Sequence, residues 1–429
     1  GLAVVSVHGR QSDVRTTRFQ EGPVDRVGRS LDVVGVEPTN ERSHKRVYLD
    51  HAASTPVRPE VVAAMLPWLA DRPGNPSGSH VAAREARRAV DDARDHVAVL
   101  VGCLPGEVVF TSGGTEADNL AVDGVVRATG GLPVCSPAEH PAVLAPVVDA
   151  GGSVVPTDSA GRINLEALGD LLSGPNGERV RLVSVMVANN ETGVVTDVDA
   201  VADVVDRYAP QAVVHSDAVQ AAAWLDLPTA VRRAGLVSIT GHKFGGPKGA
   251  GALVVRAGVP LAPVLRGGGQ ERERRSGTQN VPAIVGLGEA ARLMAIEREP
   301  LGVRVGVMRD RLEGGLRAGI DGVHRTVPDG VPRTPGVAHL CFDGIESEEL
   351  LFLLERDGIA ASAAASCASG AQEPSPVLAA MGIDRVTAAG SLRLSLGHAS
   401  TDDDVDHALA VIPAAVERLR GYARSLQSG

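Results

Sequence analysis

Five short apolar runs, most of them rich in valine, constrain the fold of this chain more than any other feature. Val108–Phe110, Leu182–Ala188, Val213–His215, Leu236–Thr240 and Ala252–Val255 are bounded by Gly, Asn, Asp and Pro. Runs this short, without polar alternation, are predicted as buried strands of a largely parallel sheet. A helix is predicted where Ala82, Ala86, Ala89, Val90, Ala93, Val97 and Leu100 recur at helical spacing, with Gly102 as its stop. Near the other end, Thr401 is an expected N-cap followed by acids at 402–404. Val405, Leu409, Ile412, Val416 and Leu419 then share one helical face, which Pro413 is expected to kink. Helices alternating with buried strands define the fold class as α/β.

The chain has 429 residues, 44% of them apolar and 22% charged, enough for a large core and for two domains. Residues 1–45 are polar, charged and without a helical or strand period, and read as a disordered extension. The opening Leu2–Val7 run is too short for a secretion signal. A large domain is expected over 57–300, and a small α+β domain over 46–56 and 301–429. A net charge of −10 without a basic stripe argues against direct nucleic-acid binding. The longest apolar stretch, Ala250–Pro263, is cut by Arg256 and is too short for a membrane span. Cys103, Cys135, Cys341 and Cys367 are far apart and form no CxxC pair, which fits a reduced, cytoplasmic setting and no metal site. Lysine chemistry has three possible positions: Lys45, Lys243 and Lys248.

Three segments can carry chemistry. In Phe110-Thr111-Ser112-Gly113-Gly114-Thr115-Glu116 a strand ends, small residues permit close approach, and a helix begins. Its free N–H groups suit a phosphate, although an ordinary capped turn has the same form. In Thr240-Gly241-His242-Lys243 a lysine follows a strand in a glycine-rich setting, where desolvation lowers its pKa and permits Schiff-base formation; a solvated surface lysine is the alternative. In His215-Ser216-Asp217-Ala218-Val219-Gln220, Asp217 sits where α/β sheets bind ligands and can pair with a protonated ring nitrogen, or simply cap a helix. A phosphate cradle, a Schiff-base lysine and an acid for a pyridinium are together the requirements of pyridoxal 5′-phosphate.

From Tyr48 to nearly the C-terminus the chain resembles the class V aminotransferase-like enzymes of fold type I. Within them it is similar to cysteine desulfurases of the iron–sulfur assembly (NifS/IscS-like) type. The resemblance rests on Tyr48–Pro56, Gly74-Asn75-Pro76-Ser77, Phe110–Asn119, Glu139-His140, Asn189–Gly193, the Asp217 segment and Gly241-His242-Lys243. It continues through Gly267–Arg272, Arg275-Ser276-Gly277-Thr278 and Ser391–Gly397.

The resemblance implies roles. Lys243 would hold the cofactor, Asp217 its ring nitrogen, and Gln220 with Asn190 its ring hydroxyl. Gly114, Thr115, Thr240 and His242 would grip the phosphate, with Thr278 reaching across from a second subunit of a homodimer. His140 would stack on the ring and move protons. Arg393 would bind the carboxylate of L-cysteine, supported by Asn75 and Asn190. Cys367, on the small-residue loop Ala361–Ser375, would take the sulfur as a persulfide, leaving alanine. Where the family usually has Ser-Gly-Ser-Ala before this cysteine, the chain has Ala363-Ala364-Ala365-Ser366. The acceptor would be an iron–sulfur scaffold or a thiolation enzyme. A selenocysteine lyase or C–S lyase of the same fold is the nearest rival, and a non-catalytic interaction protein a more distant one.

Overall fold

The valine-rich runs become the middle of a seven-stranded sheet. The computed structural model describes residues 46–363 and 375–427; the expected extension 1–45 and the cysteine-bearing segment 364–374 lie outside them. In chain order the strands are β1 Val47–Tyr48, β2 Val108–Thr111, β3 Leu132–Cys135, β4 Ser153–Val154, β5 Val180–Ser184 and β6 Val213–Asp217. They continue with β7 Leu236–Thr240, β8 Gly251–Val255, β9 Val323–Arg325, β10 Val337–Phe342, β11 Ile359–Ala360 and β12 Ser391–Ser395. The large sheet has the order β2-β8-β7-β6-β5-β3-β4. Only β8 runs against the rest, pairing antiparallel with both β2 and β7. Every residue of β2, β7 and β8 is buried, which explains their unbroken apolar character.

The run Leu182–Ala188 is a strand only as far as Ser184. Beyond it the chain stays beside β6, with Val185 N–H donating to His215 O and Val187 N–H to Asp217 O, both at 3.0 Å. It then turns back through 189–194, so the second half of the run is buried without continuing the ladder.

The predicted first helix is Val81–Val101, whose buried face includes Ala83, Ala86, Val90, Ala93 and Val97. Gly102 ends it with φ 73°, a left-handed conformation natural to glycine. The helix Val281–Gly319 packs on it and runs on through Pro300. Residue 300, expected as a domain boundary, therefore falls inside one helix, whose later turns meet the C-terminal helix Asp402–Gln427 at Leu409. The latter begins with a reciprocal cap between Thr401 and Asp404 and runs unbroken through Pro413. Its apolar face is the predicted one: Val405, Ile412 and Val416 are buried, with Leu409 and Leu419 packed on the same core.

The second sheet, β12-β10-β9, is antiparallel, and β1 pairs with β11. The segment after β1 is stitched to β12 by Ser395 N–H to Leu49 O (2.7 Å) and Ala52 N–H to Ser395 Oγ (2.9 Å). This stitching brings Asp50–Thr55 to the end of the large sheet.

Candidate active site

β2, β6 and β7 run the same way, so the loops that follow them emerge on one edge of the sheet. At the first, Gly113 caps the helix Gly114–Thr129 without a side-chain acceptor, so the first-turn N–H groups suit an anion. Close packing requires glycine here. A Cβ on Gly251 would lie 2.8 Å from the Gly113 carbonyl carbon, and one on Gly114 would lie 2.9 Å from Val219 Cγ2. Thr240 stands beside this turn, its hydroxyl donating to Ala250 O and accepting from His242 Nδ1, each at 3.1 Å. Burial lowers the His242 pKa to about 4, so its imidazole is neutral. Thr115 and His140 line a common cavity of about 540 Å³.

Lys243 follows in the next turn. Its Nζ donates to Ala52 O at 2.6 Å and to Ala53 O at 3.0 Å. Burial and the Arg393 charge lower its pKa to about 8, against the opposing pull of Asp217 and Asp50. Asp217 closes β6, is 6% exposed, and accepts the Val219 N–H at 2.9 Å. Burial raises its pKa, while His140 and Lys243 act to lower it, which places those groups within electrostatic reach. A buried carboxylate of this kind calls for a cation, and a protonated pyridine nitrogen is one. His140 caps the helix Pro141–Asp149, its Nδ1 accepting from Ala142 N–H at 3.1 Å, and burial lowers its pKa. Gln220 Nε2 donates to Ala52 O at 2.8 Å.

Arg393, on β12, is 5% exposed. Its Nη1 donates to Asn190 O at 2.9 Å and its Nη2 to Asp50 Oδ1 at 2.8 Å. A helix N-terminus, a depressed lysine, a buried acid and a guanidinium thus gather around one edge, and the residues present fit pyridoxal phosphate.

The aminotransferase class-V family model matches residues 47–408. The chain belongs to this family. An IscS-like cysteine desulfurase of Mycobacterium tuberculosis is 42% identical over 388 residues, 88% of this chain and 98% of that protein. A cysteine desulfurase of Cereibacter sphaeroides is 43% identical over 389 residues, again 88% and 98%. A solved NifS-like protein superposes with a TM-score of 0.80 at 34% identity, covering 87% of this chain and 99% of that one.

As a class V member, the chain holds some expected residues differently. Asn190 reaches Arg393 through its backbone carbonyl, not its side chain. Asn75 is exposed, and its Oδ1 accepts the Ser77 N–H at 3.0 Å, shaping its own turn. Thr278 is exposed, at the end of a segment that Arg275 ties to Glu116 of the same chain at 2.7 and 3.1 Å. Cys367 lies outside the described residues. Burial raises the other thiols: Cys103 to about 12, Cys135 and Cys341 also upward, so none is a ready nucleophile.

Several functional neighbours escape sequence reasoning. Asp118 and Glu139 are buried within electrostatic reach of Asp217, and Asp118 Oδ1 and Glu139 Oε2 have no hydrogen-bond partner among the described residues. Burial first, then the Asp217 charge, raises Asp118, while burial raises Glu139 to about 8. Burial thus disfavours the charged form of both acids, as it does that of Asp217 beside them. Asp50 stands within the Tyr48–Pro56 motif, where its invitation to Arg393 was visible only as an unassigned acid.

Proposed function

We propose that this class V enzyme is a cysteine desulfurase, converting L-cysteine to L-alanine with the sulfur retained as a persulfide on Cys367. The observation that carries the reading is the joint placement of Lys243 and Arg393: an amine with its pKa lowered to about 8, and a buried guanidinium, held by one short segment. An α-amino acid presents an amino group and a carboxylate in matching order.

Pyridoxal phosphate, when bound, supplies a sink for the electrons of the substrate Cα–H bond. Gly114, Thr115, Thr240 and His242 would hold its phosphate, Asp217 the proton on its ring nitrogen, and Lys243 its carbonyl carbon; Gln220 and His140 would border the ring. Arg393 orients the substrate carboxylate. Lys243 Nζ, once released, accepts the Cα proton. The Cys367 thiolate attacks the substrate sulfur; an S–S bond forms, the Cβ–S bond breaks, Cβ takes up a proton, and Lys243 Nζ returns one to Cα to give alanine. Only the thiolate attacks.

The remaining proposals concern setting and partners. The chain acts as a homodimer in which Thr278 of one subunit serves the other's phosphate. It works in the cytoplasm and passes sulfur to an acceptor protein, an iron–sulfur scaffold or a thiolation enzyme. A large domain over 57–300 and a small one over 46–56 and 301–429 complete this picture.

The test is mass analysis after exposure to cysteine without reductant. A reductant-labile gain of one sulfur at Cys367, with alanine formed, supports the reading. Free sulfide and pyruvate without that adduct would favour a C–S lyase, and absence of a cofactor absorbance band would favour a non-catalytic protein.

A further inference from the structure

Arg393 is held from two sides, and one of them leads directly to the lysine. Its Nη2 donates to Asp50 Oδ1 at 2.8 Å, with the Asp50 side chain 22% exposed. Its Nη1 donates to Asn190 O at 2.9 Å, while its buried Nε–H has no acceptor among the described residues. Directly across the sheet, His339 pairs with Arg393. Burial holds His339 neutral and its Nε2 also lacks a partner among the described residues, so it supplies no counter-charge. Asp50 is the carboxylate in salt-bridge contact with this guanidinium.

Asp50 is also fixed in the chain. Leu49 O accepts the Ser395 N–H at 2.7 Å, and the Tyr48 hydroxyl donates to Asp50 O at 3.0 Å. Two residues on, Ala52 O accepts from Lys243 Nζ at 2.6 Å and from Gln220 Nε2 at 2.8 Å; Ala53 O accepts from Lys243 Nζ at 3.0 Å. One run, Asp50–Ala53, therefore holds the carboxylate-binding cation at one end and the reactive amine at the other.

We propose that Asp50 is the positioning residue for Arg393, and that Asp50–Ala53 sets the spacing between guanidinium and lysine that selects α-amino acids. Asp50 aims the guanidinium and leaves its remaining N–H groups for the substrate carboxylate. This rests on the reading of Arg393 as the carboxylate-binding residue. The rival role for Asp50 is an internal competitor that the substrate must displace, and it predicts the opposite response to its removal.

The test compares L-cysteine with cysteamine, which has the amine and thiol but no carboxylate, on the cofactor-loaded enzyme. Asp50→Ala should raise the KM for cysteine about 10- to 100-fold, the range for losing a charge-assisted hydrogen bond. The kcat should change by less than about threefold, as for lost uniform binding. Cysteamine affinity, read by spectral titration, should be unchanged. Asp50→Asn keeps an acceptor oxygen without the charge and should fall between wild type and Asp50→Ala, and it covers the case in which the alanine variant does not fold. Equal losses for cysteine and cysteamine, or a lower KM for cysteine in either variant, would overturn the proposal. Arg393→Ala separates the two levels. If it weakens cysteine and spares cysteamine while Asp50 variants do neither, only the role of Asp50 fails; if it too is without effect on discrimination, the reading of Arg393 fails with it.

Discussion

Lys243 Nζ lies 2.6 Å from the carbonyl oxygen of Ala52, a residue 191 positions earlier in the chain. That contact joins the turn after β7 to the segment after β1, and it fixes the amine among Asp217, Arg393 and Asp50. Lys248, the other lysine among the described residues, is exposed and stands in no such setting. Lys243→Ala should therefore lower turnover by at least about a thousandfold, consistent with removal of a covalent and proton-accepting group. Cysteine turnover to alanine measures it, and retention of a tenth of normal activity would contradict the assignment.

The lowered pKa of Lys243 gives a pH signature. With a value of about 8, the fraction of free amine rises as pH rises through 8, whereas an ordinary lysine at 10.5 would show the rise much later. Capture of added pyridoxal phosphate by cofactor-free protein should accelerate by roughly tenfold per pH unit below 8 and level off above it. Stopped-flow absorbance reads this directly. A rate still climbing steeply beyond pH 9 would indicate a solvated lysine.

Glu139 makes a prediction about stability. Its folded-state pKa is raised from 4.5 to about 8, so between those values the folded chain holds a proton that the unfolded chain has released. Its stabilisation is thus fully present below pH 4.5 and is lost as pH rises towards 8. Glu139→Gln keeps an oxygen for the Met186 N–H and the Ser136 hydroxyl and removes the titration. The variant should melt higher than wild type at pH 8 and differ little at pH 5. Calorimetry of the cofactor-free protein checks this; equal melting at pH 8 would count against it.

Much of the fold was legible because buried parallel strands have an unambiguous apolar signature. The same is true of Thr115, Asp217, Thr240 and Lys243, which stand directly at the ends of such strands. Asp50, Glu139 and Asp118 were not legible, since their roles arise from contacts between distant segments. Asp50 meets Arg393 only because β12 carries the latter alongside Leu49. Residue 300 is the expected domain boundary, yet the helix Val281–Gly319 continues through Pro300.

Glu271 illustrates the same difficulty. It has φ 46°, as a non-glycine residue, and Arg272 and Glu273 follow it in the left-handed region. Its carboxylate accepts from Arg94 at 2.8 and 2.9 Å, from Phe110 N–H at 3.0 Å and from Gln279 at 2.5 Å. Both partners of the Arg94 pair are buried. Glu271→Ala should cost about 3–5 kcal/mol, the penalty for leaving a buried arginine unpaired. Urea denaturation measures the loss; a change below about 1 kcal/mol would show that the pair is dispensable.

The central claim is that sulfur leaves cysteine by attack of the Cys367 thiolate. The direct measurement is alanine formation by Cys367→Ser with the cofactor bound. Cofactor absorbance and cysteine affinity should match wild type, because Lys243, Asp217 and Arg393 are intact, while alanine production falls by orders of magnitude, since serine's neutral hydroxyl is a poor sulfur nucleophile. Alanine released at the wild-type rate, or a persulfide mapped to Cys103, Cys135 or Cys341, would contradict the account.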